Sequence, residues 1–242
     1  MGDVLDTGSG SVNGAGNRSA SPHLKSDAAK NLDGEQYADA AEAAANTKER
    51  REKAIEKGLV MAPKMVPAAQ TVFEVSAHVV PSVLKRDVAE VFSDPASSGA
   101  LALDQLKIIP TIQHTILDIL AVNQATADEK DLCLERFSEF ARVFCKFLLD
   151  KGNWADYCDP CSGLPMYSNG NTVYSEIQGL EKVRRFYTTN AGACRIALHP
   201  EWGSNMYPAS IFTTAAGDDI NAAIEYASKT TSSTNNVSLQ GK

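Results

Sequence analysis

Apolar and polar positions divide the chain into three stretches. Residues 1–66 carry mostly Gly, Ala, Ser, Asn, Asp and Lys, with Tyr37 as the only aromatic and few branched apolar side chains. Such a stretch buries too little surface to offset an ordering entropy of about 1–2 kcal/mol per residue. It reads as a disordered N-terminal arm with a transient helix around residues 39–57. The Ser-, Thr- and Asn-rich tail, 228–242, reads as disordered too. Between them, 67–227 has the size and apolar content of one domain with its own core.

Inside that domain the periodicity changes element by element. Thr71, Val72, Phe73 and Val75 open a strand that runs to about Val79. Pro81 stands at the start of a helix that carries Val83, Leu84, Val88, Val91 and Phe92 at helical spacing. Residues 94–99 form a loop. Alternation at Leu106, Ile108, Pro110 and Ile112 predicts a strand over 105–113, with Pro110 placing it at an edge or a bulge. Residues 114–122 fit either a strand or a helix, and the strand, as the return arm of a hairpin, is the preferred reading. The clearest helix spans 127–151: Thr126 and Glu129 make a capping box, Cys133, Phe137, Phe140, Phe144 and Leu148 form one stripe, and Gly152 stops it. Beyond it, Asn169-Gly170 signals a hairpin, 179–187 a short helix, 194–198 a strand, 200–204 a turn and 206–213 its antiparallel return. Ile220, Ala223, Ile224 and Ala227 define a closing helix over 218–227. Without strict βαβ alternation, the fold class is α+β, a mainly antiparallel sheet with flanking helices.

Charge narrows the partners. The net charge is -7 and the basic residues barely cluster, with Lys182, Arg184 and Arg185 the one small group. Nucleic acid is excluded as a natural partner, because phosphate neutralisation needs clustered Lys and Arg. No apolar run approaches the roughly 20 residues of a membrane span, and neither a secretory nor a mitochondrial leader is evident. The expectation is a cytoplasmic protein. Five cysteines in such a compartment read as thiols or ligands rather than a disulfide framework.

Two segments concentrate chemistry: 154–163, Trp-Ala-Asp-Tyr-Cys-Asp-Pro-Cys-Ser-Gly, and 194–203, Cys-Arg-Ile-Ala-Leu-His-Pro-Glu-Trp-Gly. The first reads as a loop too polar and punctuated to be core. Cys158 and Cys161 have redox spacing but follow a helix instead of opening one, so the dipole that lowers a thiol's pKa is missing. A lone C-x-x-C is also half a zinc site without its second pair. Asp156 and Asp159 pair as acid and base or serve as turn caps, the commoner role. Cys194, at the start of a strand after a flexible approach, is either a presented thiol or a residue facing the core. His199 reads as a hydrogen-bonded turn residue, and Cys133 and Cys145 as buried hydrophobes on their helix. Nucleotide-loop, nucleophile-elbow and zinc-protease motifs are all missing.

At these two segments the chain resembles the CblD family of cobalamin trafficking proteins, the methylmalonic aciduria and homocystinuria type D family. The likeness rests on Trp154-Ala155-Asp156, Tyr157, Asp159-Pro160, Ser162-Gly163, Cys194-Arg195-Ile196, His199, Trp202-Gly203 and Ser210 to Thr213. It extends upstream to Phe73-Glu74, Ser76-Ala77, Pro81, Leu84, Arg86 and Asp87. The resemblance implies a flavin-nitroreductase-like domain that has lost flavin, is not an enzyme and acts as an adaptor. It implies binding to the cobalamin-processing protein CblC, with Trp154, Asp156, Tyr157, Asp159, Ser162, Gly163, His199, Trp202 and Gly203 at the docking rim. The processed vitamin would then go to methionine synthase in the cytosol and methylmalonyl-CoA mutase in mitochondria. No cofactor would be held stably; cobalamin would be shared through CblC. The family also implies a cobalt-coordinating thiolate at the first of two adjacent cysteines, where this chain has Ala193 followed by Cys194. Cys194 is therefore the candidate cobalt-facing thiolate, with Cys158 and Cys161 as weaker substitutes. The rival readings are a flavin reductase on the related fold, a thiol-disulfide protein using Cys158 and Cys161, and an interaction module unconnected with cobalamin.

Overall fold

Between Thr71 and Val79 the side chains alternate: Phe73, Val75 and Ala77 on one face, Glu74, Ser76 and His78 on the other. Period-two alternation is what a strand buried on two chemically different faces looks like, and this strand, β2, organises the molecule. In the computed structural model, which describes residues 56–93, 101–192 and 194–233, all elements belong to the unit Lys48–Lys242. A five-stranded antiparallel sheet runs in the order β1-β2-β3-β7-β4, from β1 (Leu59–Ala68), β2 (Thr71–Val79), β3 (Lys107–His114), β4 (Ala155–Tyr157) and β7 (Met206–Thr213). The hairpin of β5 (Tyr187–Ala191) and β6 (Cys194–Leu198) forms a separate two-stranded sheet. Four helices complete the described fold: α1 (Ser82–Val91), α2 (Gln124–Asp150), α3 (Glu176–Val183) and α4 (Gly217–Ser233). Among the described residues no helix is long and apolar enough to cross a membrane.

The sheet's first face is the hydrophobic one. Phe73, Val75, Ala77, Ile109, Ala209 and Ile211 meet Phe137, Phe140, Phe144 and Leu148 of α2, and Ile220, Ala223, Ile224 and Ala227 of α4. Phe73 stacks on Phe140 with ring centroids 5.1 Å apart. Each fully buried aromatic or aliphatic side chain of this kind contributes roughly 1.5–3 kcal/mol of transfer free energy. Cys133 and Cys145 are buried along α2, as their positions beside the stripe predict. On the second face, α1 packs Leu84, Val88 and Val91 near Leu106, Ile108 and Phe212, while Leu180, Phe186 and Ala197 pack with Ile112 and Met206.

Several expectations are corrected. β1 begins at Leu59, inside the stretch read as a disordered arm; Pro63 and Pro67 disguised it. It is an edge strand with register shifts between Leu59 and Lys64, where proline is tolerated. Residues 1–55 and the 94–99 loop lie outside the described residues. The tail likewise departs from expectation: α4 continues to Ser233, its Thr231 and Ser233 hydroxyls donating to the carbonyls of Ala227 and Lys229, and only 234–242 lie outside. Pro110 sits in the central strand, not at an edge. The β2–β3 ladder passes from Val75↔Thr111 to His78↔Ile108, and the interval opposite Pro110 carries no pair, matching a residue with no N–H to offer.

Residues 115–122 form a loop, not a strand. The Glu129 carboxylate takes the N–H groups of Ile116 and Leu117 at 2.6 and 2.9 Å, and Asp118 takes that of Leu120, so donors a strand would share with a neighbour are already used. β7 has the expected bounds, but it pairs with β3 and β4 instead of β6. No hairpin forms at Asn169-Gly170; a Cβ on Gly170 would collide with the Val91 carbonyl, so glycine there permits close approach to the end of α1. The 179–187 helix is α3, shifted earlier because the Ser175 hydroxyl caps the Gln178 N–H.

Helix α2 starts one turn before the expected capping box. Asn123 is its N-cap and accepts the Thr126 N–H at 2.9 Å, while the Thr126 hydroxyl is buried without a partner. Asn123→Ala should therefore cost about 1 kcal/mol of stability, whereas Thr126→Val should be neutral or slightly stabilising. Urea unfolding midpoints of both variants distinguish this cap from the one the sequence suggests.

Candidate functional site

The polar face of β2 is a seam, not a solvated surface. Arg184, the C-cap of α3, donates from Nη2 to Glu74 Oε1 at 2.6 Å and from Nη1 to the Ser76 hydroxyl at 3.2 Å. His78 Nε2 lies 3.0 Å from the same hydroxyl. The second Glu74 oxygen meets His199 Nε2 at 3.2 Å. His199 Nδ1 accepts the backbone N–H groups of Glu201 and Trp202 at 3.1 and 3.2 Å. A nitrogen that accepts carries no proton, so the ring proton is on Nε2 and is donated to Glu74. The Glu74 and Arg184 side chains are only 13% and 11% exposed, so each carboxylate oxygen has a committed partner in a poorly hydrated place.

This seam carries an aromatic stack to the surface. His199 lies parallel to Trp202 at 4.0 Å and 12°, and the exposed His114 stacks with Trp202 at 4.9 Å and 26°. Phe186 meets His199 edge-on, and the Arg184 guanidinium lies over the Phe186 ring at 5.0 Å. Phe186 precedes β5 and His199 follows β6, so both ends of the hairpin are fastened at its base. From there the pairing runs outward from Tyr187↔Leu198 to Ala191↔Cys194. Four residue steps carry Cys194 roughly 14 Å beyond Leu198. Gly192, at φ +62°, supplies the left-handed residue of a two-residue turn, and Ala193 lies outside the described residues. Cys194 is an exposed free thiol; of the two orientations the sequence left open, it is presented.

Beside the stack is an apolar loop. Ile116 is 89% exposed, Val122 is fully exposed, and Leu117 and Leu120 are partly so. Asn205 ties this loop to the Trp202 turn: its carbonyl accepts the Thr115 N–H, its amide donates to the Ile116 carbonyl, and its own N–H reaches the Trp202 carbonyl.

The other sequence segment is built differently. Far from being too polar for core, residues 155–158 are buried, with Ala155–Tyr157 forming edge strand β4. Asp156 accepts four backbone N–H groups, from Tyr157, Met166, Tyr167 and Ser168, at 2.7–3.2 Å. Asp159 accepts the Cys161 and Ser162 N–H groups and the Ser162 hydroxyl. Both carboxylates are caps and make no acid/base pair. Cys158 has no exposed surface, and burial together with Glu176, Asp156 and Asp159 pushes its thiol well above the usual range. Ser210 donates to Glu176 at 2.6 Å, and burial lifts that carboxyl to about 7. Cys161 is exposed. Cys158 thus presents no thiol to solvent, and of the two only Cys161 does.

Nor do the two segments form one rim. Trp154 packs edge-on against Phe92 beside the Thr213 end of β7, whereas Trp202 stands on His114, which pairs with Met206 at the other end. Of the nine residues expected at the rim, Asp156, Tyr157, Gly163 and His199 are buried, and Trp154, Asp159, Ser162, Trp202 and Gly203 keep some exposure. Sequence reasoning missed Glu74, Ser76, His78 and Arg184 as a set. The signal was the alternation Glu74-x-Ser76-x-His78 facing away from Phe73, Val75 and Ala77. Among the described residues no group of three or more His, Cys, Asp or Glu is placed to hold a metal ion.

Burial and the nearby Arg184 guanidinium lower His78 from 6.5 to about 4. The unfolded chain binds that proton first as pH falls, so the His78 contribution is intact above 6.5 and is lost between 6.5 and 4, on the order of 3 kcal/mol. His78→Gln should be less stable than wild type at pH 7, with the gap closing by pH 4; urea midpoints measured across that range check it.

The seam, the stack and the hairpin all fall inside residues 16–224, the span matched by the sequence model described as Methylmalonic aciduria and homocystinuria type D protein. The proteins named Cobalamin trafficking protein CblD from Rattus norvegicus and Mus musculus are each 30% identical over 161 residues, and that from Homo sapiens is 29% identical over 161. Each alignment covers 63% of this chain and 52% of the relative. The chain thus spans about half the length of the curated relatives it matches. With most of its length matched by the family pattern, and the residues of the seam within that match, the chain belongs to the methylmalonic aciduria and homocystinuria type D protein family.

Proposed function

We propose that this protein is a non-catalytic adaptor in intracellular cobalamin trafficking. It docks onto a CblC-type processing protein and directs the vitamin toward methionine synthase and methylmalonyl-CoA mutase, from the cytoplasm and a mitochondrial pool. Its α+β body serves as a nitroreductase-like frame without the flavin. The observation that carries the reading is the Trp202 stack flanked by the exposed apolar loop 115–122, with Cys194 held out on the hairpin fastened beside it. Aromatic anchors next to exposed aliphatic side chains are what a docking surface uses. The carboxylates of Asp156, Asp159 and Glu74 are engaged in holding backbone, Arg184 or His199, which supports a positioning role over turnover.

Cys194 is the candidate cobalt-facing group. Thiolate is a soft ligand suited to a late transition metal, and coordination itself draws off the thiol proton. Successive strand residues point to opposite faces, so a role that the family places one position earlier passes to Cys194 only with a backbone adjustment.

Binding of the full chain to cobalamin-loaded CblC, read by titration calorimetry, tests both parts. Trp202→Ala, and independently the surface changes Ile116→Asp and Val122→Asp, should each weaken binding at least about tenfold, an energy of ~1.4 kcal/mol. Cys194→Ser should leave affinity nearly intact and abolish the change in the visible corrin spectrum. Unaltered affinity in all three docking variants would overturn the docking surface; a corrin spectrum that wild type leaves unchanged would remove the ligation.

A further inference from the structure

A cavity of about 560 Å³ opens between the start of α1 and the end of α3, remote in character from the apolar docking loop. Lys57, Lys85, Lys182 and Arg185 line it, and among the described residues no carboxylate does. Among the described residues Lys57, Lys85 and Arg185 have no ion-pair partner, and Lys182 has only its neighbour Glu181 at 3.4 Å. Four like charges around one concavity repel one another and raise the local concentration of anions. The ten-residue α1 adds its positive end at the same mouth: Pro81 gives it no side-chain cap, its first turn carries no acidic residue, and Ser82 lines the cavity. Val79, Val80, Pro81 and Val183 also line it, as does the buried His78. The basic group that composition made unremarkable is thereby divided. Arg184 turns inward to Glu74, while Lys182 and Arg185 join two lysines distant in sequence.

We infer that this cavity binds a phosphate-bearing anion, either a free polyphosphate or the phosphate end of an organic ester whose remaining part lies along the valine wall. The volume falls in the range of small-molecule sites, roughly 300–1,000 Å³, and exceeds what a single phosphate fills. Arg185 supplies a planar fork for two oxygens and the lysines supply point charges. The site does not depend on the adaptor reading, and its test uses no cobalamin or partner protein.

Adenosine diphosphate, inorganic pyrophosphate and adenosine serve as probes, each titrated calorimetrically into the full chain at low and high salt. Saturable binding of adenosine diphosphate or pyrophosphate is expected, weakened by salt, with adenosine alone silent; the tighter of the two identifies an organic or a free phosphate as the natural form. Lys85→Gln and Arg185→Gln should each reduce affinity about fivefold, equivalent to ~1 kcal/mol. Lys146→Gln, at a residue paired with Asp150 on α2, should leave it unchanged. Absence of saturable binding by both phosphate probes, or equal affinity in wild type and both cavity variants, would overturn the inference.

Discussion

The Glu74 carboxylate joins three elements of the described fold through one side chain. It projects from the polar face of β2, takes Arg184 from the end of α3 and takes His199 from the end of β6. Because His199 spends its other nitrogen on the turn leading to Trp202, the carboxylate fixes that ring proton and through it the geometry of the aromatic stack. Removing one member of such a poorly hydrated charged set strands the others, at a cost of about 3–5 kcal/mol for a buried pair. The hairpin has no place in the main sheet, so its direction is set by this base together with the Arg195–Glu181 ion pair to α3. What reaches outward from the molecule is thus aimed by a group that faces inward.

How much of this was legible follows from the kind of signal each element left. The stripe on α2 and the alternation in β2 appear in the structure nearly as read, because apolar periodicity reports directly on the face that must leave water. Elements whose identity depends on partners were not legible. β1 is an edge strand carrying two prolines, and only its pairing with β2 reveals it. Residues 115–122 fit a strand or a helix by content, but Glu129, read as part of a capping box, captures their backbone. Pro110 signals an edge or a bulge; a gap in one ladder accommodates it at the centre.

The same division holds at the site. Trp202 and Cys194 were identified as outward-facing candidates, and both retain exposure. Asp156 and Cys158 were drawn to the surface by their polarity, yet a carboxylate that accepts four backbone N–H groups is more useful buried. Glu74, Ser76 and His78 were passed over because alternate polar residues in an antiparallel strand usually face water. Their neutral and charged partners, Arg184 and His199, lie more than a hundred residues away, a distance no local pattern spans. Buried polar seams are written in pairs of positions, and a single sequence shows the positions without the pairing.

Amide hydrogen exchange of the wild type and of Glu74→Gln tests the central claim most directly. If Glu74 sets the hairpin's placement, exchange of the Tyr187–Leu198 amides should accelerate at least about tenfold in the variant, while amides of α2 and the centre of the sheet change much less. Unchanged protection in the hairpin, or an equal rise in every element, would contradict it.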